Sequence, residues 1–482
     1  MSPITLAAAL LLGLPPSPRE LDAQVQTAVE QWKVPGLTLV IVHRGQRVYL
    51  KAVGVKELGK DGAVTPDTIF PLASCTKAFT SLALAQLVDE GKLGWDDPVR
   101  KHVPAFQLKD PLANEQATLR DLLCHRTGLP GHDLLWIRSP WSFEERVRKI
   151  GQIEPTTGFR AAFQYQAILY GVAGHAGGRA ANTTWADLVQ SRLLDSLKMG
   201  HSSPAYIASK GEHASPHRRG PDGKIAVIPR YPFAEPDPAG SFHTTARDLE
   251  AFLRVQLGDW NGPAIVSDKQ RAEIQRPQML IPFDGFARVM NPETRVQVSY
   301  AMGWIVQDYR GKKMLLHGGA IDGFRAHFAI LPDEHLGIAL LNNLDDTFCN
   351  LALANRIVDR FLEGETRDWN RYYLDIEAET RERAIQAAKA FRQDRHAKPP
   401  LPLADYEGDY HDPAYGSCVI RVRGGSLRMS WANLEAPLEY LRDHQFLADT
   451  PPLHDAPFVF NVGPQGRVVG LDALGRSFTR KK

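Results

Sequence analysis

A serine and a lysine stand three residues apart in the stretch PLASCTKAFT, residues 71–80. On a helix such a pair shares one face, a turn apart, which brings Lys77 within reach of the Ser74 hydroxyl. A hydroxyl beside an amine is a nucleophile beside its base, provided the amine can be neutral. The apolar neighbours Leu72, Ala73, Ala78 and Phe79 predict partial burial of Lys77, the environment that lets a lysine take a proton. A serine opening a helix also sets its own backbone N–H at the positive end of the dipole, where an oxyanion can be held. One Ser-x-x-Lys match in 482 residues is about what chance supplies, so the same pair also reads as ordinary helix surface. Cys75 stands next to Ser74 but on a different face from Lys77, and it reads as packing.

The elements that must hold this pair carry local signals. Ser17-Pro18-Arg19-Glu20 is a capping box with Pro at the first helical position. GLTLVIVHRGQRVYLKAVGV, residues 36–55, holds two β-rich runs around the turn His43-Arg44-Gly45-Gln46. After Ser74 the apolar spacing of TKAFTSLALAQLVDEGKLG predicts a helix stopped at Gly91. Strand character returns in MGWIVQDY, KMLLHGG, RAHFAILPD and HLGIALLNN. Strands at both ends with helices between them predict an α+β unit whose ends share one antiparallel sheet. A charged helix follows, then about 80 residues of short strands with Gly turns, which fit a small β-barrel or sandwich.

Composition narrows the class. Hydrophobic residues are 43% and charged residues 23%, and 57 Lys and Arg stand against 55 Asp and Glu. With no basic block or basic–aromatic stripe, nucleic acid is not a partner. Four scattered cysteines, Cys75, Cys124, Cys349 and Cys418, rule out a disulfide framework or a structural zinc site as the basis of the fold. His213 and His217 are four apart, but Pro216 disfavours the helix that would pair them on a metal. The apolar run from Ile4 to Leu14 is too short to span a bilayer and suits the core of a secretory signal. A periplasmic or secreted location is expected, with a cytoplasmic protein bearing an apolar leader as the alternative.

Three further stretches stand in order with Ser74 and Lys77: ATLRDLLCHRTGLPG (117–131), FQYQAILYGVAG (163–174) and LLHGGAIDGFRAHFAIL (315–331). In that combination, over about residues 20–365, the chain resembles the serine β-lactamase and penicillin-recognising enzyme family. The likeness is closest to the class C branch with its D-aminopeptidases, D,D-carboxypeptidases, esterases and acyltransferases. It implies a β-lactamase/transpeptidase-like domain, an antiparallel sheet flanked by helices with a helical subdomain. The expected layout, from the residues and the resemblance together, is a leader over 1–16, the hydrolase domain over 17–365, a helical linker over 366–400 and a small all-β accessory domain over 401–482.

The resemblance also implies roles. Ser74 is the nucleophile and Lys77 its proton acceptor. Tyr165 falls where the family's Tyr-x-Asn loop has its tyrosine, which shuttles a proton to the leaving group. Ala167 stands where that loop has asparagine, and this puts recognition of acylamino substrates, β-lactams included, in doubt. His317, Gly318 and Gly319 replace the family's Lys-Thr-Gly and line the substrate. The backbone N–H groups of Ser74 and Ala320 form the oxyanion hole. A histidine is only partly charged near neutrality, so a strict demand for a substrate carboxylate is not expected. Outside that family context Tyr165 reads as core, with Tyr170 its nearest rival, and His317 reads as a structural residue ending a strand. Asp322 and Arg325 are candidates to line the site beyond.

The expected activity is hydrolysis of amide or ester bonds of a small molecule or short peptide through an acyl-enzyme. A D-amino-acid peptidase, amidase or esterase is favoured over a β-lactamase. No metal or organic cofactor is required. The alternatives are an acyltransferase, or a penicillin-binding or sensing protein that acylates without turnover. The oligomeric state is not legible.

Overall fold

The structure is a computed structural model that describes residues 16–136, 139–220, 222–363, 367–393, 398–448, 450, 453 and 455–481. The expected leader, Pro16 excepted, lies outside the described residues. The chain forms two compact units. The first takes in the described residues up to Asp97, then Leu122–Cys124 and Ala173–Ala378. The second takes in Pro98–Asp121, His125–Val172 and the described residues from Glu379 onward. Among the described residues no helix is long and apolar enough to cross a membrane.

The first unit is built on an eight-stranded antiparallel sheet. Its strands are β1 (Gly36–His43), β2 (Gln46–Gly54), β3 (Met279–Ile281), β4 (Val298–Tyr300), β5 (Ile305–Tyr309), β6 (Lys312–Ile321), β7 (Phe324–Leu331) and β8 (Leu336–Asn342). They lie in the order β2-β1-β8-β7-β6-β5-β4-β3, so the early hairpin and the late strands share one sheet, as the sequence predicts. Arg44 and Gly45 both have positive φ at the β1–β2 turn, the backbone that lets a two-residue hairpin follow the strand twist.

Helix α1 (Pro18–Trp32) starts at the expected capping box. Ser17 Oγ accepts from Glu20 N at 3.3 Å, while Ser17 N donates to Glu20 Oε2 at 2.8 Å. Its stripe of Leu21, Val25, Ala28 and Trp32 packs with Ile357 and Val358 against Leu39, Ile41, Ile338 and Leu340 of the sheet. The other face is closed by Phe252 on helix Ala246–Leu257, whose ring contacts Phe328 and stacks on Phe79. β1 and β8 are thus buried on both faces, which accounts for their near-continuous apolar runs. β3 is a three-residue edge strand with Leu280 exposed.

The second unit contains the eight-stranded antiparallel barrel. Its strands run from Gly408–Asp412 to Arg476–Arg480, and the first closes on the last through Tyr410 and His411 opposite Arg480 and Thr479. Alternate residues point inward, so Tyr410, Ile420, Met429, Phe446, Phe458, Phe460 and Phe478 are buried and fill the interior. This is the small all-β domain that the spacing of strands and Gly turns predicts.

Candidate active site

Ser74 sits on a three-residue 3-10 turn, Ala73–Cys75, that leads directly into α2 (Thr76–Asp89). The serine is therefore one step outside the α-helix that the sequence places it on. Ala73 immediately before it has φ 46°, a left-handed backbone that costs a non-glycine residue of order 1 kcal/mol. Packing holds this strain in place. Leu72 N donates to Phe242 O at 2.7 Å, and Phe242 N donates to Thr76 Oγ1 at 3.2 Å.

Lys77 is fully buried, more than the sequence predicts, and its Nζ lies 3.3 Å from Ser74 Oγ and donates to Ala239 O at 2.9 Å. One turn on, Thr80 Oγ1 donates to Pro238 O at 2.7 Å and accepts from Trp185 Nε1 at 3.0 Å. The segment Asp237–Phe242 thus runs along α2 and supplies carbonyls to it. Sequence reading did not single out this segment, because its contribution is backbone and side-chain identity gives no signal of it.

Strand β6 approaches the serine turn closely. A Cβ on Gly319 would stand 2.0 Å from Leu72 O, so only glycine fits there, whereas a Cβ on Gly318 would meet nothing within 4 Å. Pairing of β6 with β5 ends at Leu316, while pairing with β7 continues to Ile321. His317 to Ala320 therefore lie on a stretch of β6 that β5 leaves uncovered, with Gly318 and Ala320 exposed. The buried Cys75 thiol donates to His317 O at 3.2 Å and is pushed well up by burial, so it is a thiol tying turn to strand.

His317 itself is turned into the protein. Its Nδ1 bonds to Gly318 O at 2.8 Å, which fixes the proton there and leaves Nε2 to accept from the Tyr300 hydroxyl at 3.0 Å. Burial, helped by the nearby Lys77 charge, pushes the imidazole down to about 3. The sequence-based expectation of a partly charged histidine is thereby corrected: His317 is neutral at physiological pH. Tyr300, buried and 17 residues away, gave no signal in the sequence because only sheet register brings it to His317.

Asp322 and Arg325 are both held in ion pairs. Arg218 Nη2 donates to Asp322 Oδ1 at 3.1 Å, and Arg325 Nη2 donates to Asp346 Oδ1 at 2.8 Å.

Tyr165 belongs to the second unit. Its ring centroid lies 4.4 Å from that of the buried His125, whose Nδ1 accepts from Gln166 N at 3.1 Å. The chain leading to it is gathered by Asp121, a fully buried carboxylate. Arg126 Nε reaches Asp121 at 2.6 Å, Arg160 Nη2 at 2.8 Å, and the Thr118 backbone N–H at 2.9 Å. Burial alone would raise this carboxyl, but the bonds from Arg160, Thr118 and Arg126 outweigh it and hold the group below its ordinary range. Tyr165 is half-buried, whereas Tyr170 and Ala167 are buried, Ala167 as the first residue of helix Ala167–Ala180.

A family model described as Beta-lactamase matches residues 21–359. The chain belongs to the beta-lactamase family. A second model, described as a domain of unknown function (DUF3471), covers residues 392–479 and so all of the barrel but its last residue. An unguisins hydrolase of Aspergillus campestris is 27% identical over 436 residues, spanning 84% of this chain and 78% of its own. The fold is shared with an octameric penicillin-binding protein homologue from Pyrococcus abyssi, at TM-score 0.63 and 20% identity over 95% of this chain and 98% of the other. A D-amino acid amidase from Ochrobactrum anthropi superposes with TM-score 0.58 and 22% identity over 71% of this chain and 98% of its own. The protein is a hydrolase of the beta-lactamase family.

Proposed function

We propose that the protein is a serine hydrolase acting through an acyl-enzyme on amide or ester bonds of a small molecule or short peptide. The observation that carries this reading is the contact of Ser74 Oγ with the fully buried Lys77 Nζ at 3.3 Å, on a strained turn beside β6. In its neutral form Lys77 accepts the Ser74 proton as Oγ bonds to the substrate carbonyl carbon. The carbonyl π pair moves to oxygen, which the N–H groups of Ser74 and Ala320 receive. Collapse breaks the bond to the leaving amine or alkoxide, which takes a proton by way of Tyr165. Water then adds to the acyl carbon and Ser74 leaves with a proton.

D-amino-acid amides, peptides and esters are favoured over β-lactams. Three features support this: the uncharged His317, the absence of a side-chain amide at Ala167, and the likeness to a D-amino acid amidase. A neutral His317 gives a substrate carboxylate no fixed counter-charge at that position.

The test is intact-mass spectrometry after brief exposure to a fluorophosphonate and, separately, to a penicillin. The expected result is a single fluorophosphonate adduct that Ser74→Ala abolishes, and no lasting penicillin adduct. A persistent penicillin adduct without turnover of any amide or ester turns the reading to a sensor. Absence of any adduct on folded protein refutes it.

A further inference from the structure

The barrel and the tyrosine-bearing turn belong to the same compact unit, and a short relay of contacts joins them. At the barrel end, Asp412 builds the turn between the first two strands. Its Oδ1 accepts from Ala414 N at 2.8 Å and Tyr415 N at 2.7 Å, and its Oδ2 accepts from Arg476 Nη2 at 2.9 Å. Trp431 stacks on Tyr415 and donates to Tyr415 O at 2.9 Å. With backbone and ring both held, Tyr415 is a stiff projection from the barrel.

Its hydroxyl shares a hydrogen bond of 3.0 Å with His132 Nδ1. Two residues before His132, Pro130 O accepts from Gln166 Nε2 at 2.8 Å. Between them, Gly131 lies so close to the turn that a Cβ there would be 3.2 Å from Tyr165 O. A second strut runs beside the first. Lys149 Nζ donates to Ala414 O at 3.1 Å and sits 4.0 Å from the centroid of the Trp141 ring, which meets Trp431 edge-on. Burial pushes His132 down to about 4, so it is neutral and its bond to Tyr415 persists at working pH.

We infer that the C-terminal barrel is a positioning domain for Tyr165, with Tyr415 holding the loop Pro130–His132 that in turn holds the Gln166 side of the turn, and Lys149 tying the helix Phe143–Ile150 to the barrel beside it. The inference rests on the proposed role of Tyr165 in proton delivery. Its chemical consequence is selective. An alkoxide must be protonated as it leaves, whereas p-nitrophenolate leaves unaided, so a misplaced Tyr165 penalises only the poor leaving group.

The experiment compares ethyl acetate with p-nitrophenyl acetate on the full-length protein, using Tyr165→Phe, Tyr415→Phe, Lys149→Met and the Tyr415→Phe/Lys149→Met double variant. Tyr165→Phe is expected to cut kcat on ethyl acetate by about a hundredfold or more and to affect the activated ester far less. Tyr415→Phe is expected to lower kcat on ethyl acetate by about five- to tenfold, with KM and p-nitrophenyl acetate turnover held, and the double variant to lower it further. Hydrogen exchange over residues 160–168 rises in parallel.

If the barrel variants match wild type on both esters while Tyr165→Phe is crippled, the positioning inference fails and the catalytic reading stands. If Tyr165→Phe equals wild type, the role of Tyr165 falls and the inference with it. An equal loss on both esters, tracking a lowered melting temperature, makes the barrel contact structural only and overturns the inference. A wild type inactive on both esters overturns it too.

Discussion

The surroundings of Ser74 and those of Tyr165 are built by different physics. On the serine side the anchors are backbone carbonyls, a close glycine approach and stacked rings: Ala239 O on Lys77, Phe242 on the turn, Leu72 O against Gly319 and Phe79 under Phe252. On the tyrosine side one buried carboxylate, Asp121, gathers Arg126, Arg160 and Thr118. A frame of uncharged groups resists displacement of the nucleophile without adding a formal charge beside the amine. A frame hung on one carboxylate concentrates its stability in a single residue.

The largest effect that would sharpen this contrast is chemical. Ser74→Ala is expected to abolish turnover, and Lys77→Gln to lower kcat by about two to four powers of ten, both with near-native melting curves. Retention of activity in either would remove the serine side from the chemistry altogether. Next in size, Asp121→Asn should cost about 2–4 kcal/mol in urea unfolding, discounted for the partial exposure of both arginines. Exchange protection should be lost first around residues 118–165. A uniform loss across both units would break the comparison.

Acid should separate the two sides more gently. Buried His243 and His317 are held near 3, and His327 near 4, by burial, all in the first unit, while the second unit has His132 near 4. Each is depressed below its unfolded value, so the unfolded chain binds the extra proton. The stability they contribute is present above about pH 6.5 and is lost as pH falls toward the folded value, at up to about 1.4 kcal/mol per pH unit per group. Between pH 6.5 and 4.5 amide protection is expected to fall more in the first unit than in the second. An even fall would refute the difference. The smallest expected change is for Tyr300→Phe, about 1 kcal/mol of stability, because it removes the donor to a buried imidazole nitrogen. Thermal melting at pH 7 reads it.

Much of this architecture was legible because its signals are local. The box Ser17–Glu20, the His43–Gln46 turn and the strand runs after Met302 each carry their structure in a few adjacent residues. The helix after Ser74 was legible on the same ground, but its first turn was not. Nothing in Leu72-Ala73-Ser74 announces a positive φ at an alanine, since that conformation is imposed by Phe242 from 170 positions away along the chain. His317 shows the same limit. Its type suggested partial charge, yet its environment is set by strand pairing that brings in Tyr300, and environment decides a histidine's state.

The two sheets also differ in how they end. Among the described residues the barrel closes on itself, whereas the large sheet stops at β3, where Leu280 is 60% exposed, and in the segment that follows Phe286 and Val296 are 58% and 77% exposed. An open edge with apolar side chains is a template for another chain. In concentrated or long-stored preparations, turbidity is therefore expected to start at this edge, and Leu280→Lys is the change that should lengthen shelf life without touching Ser74, Lys77 or Tyr165.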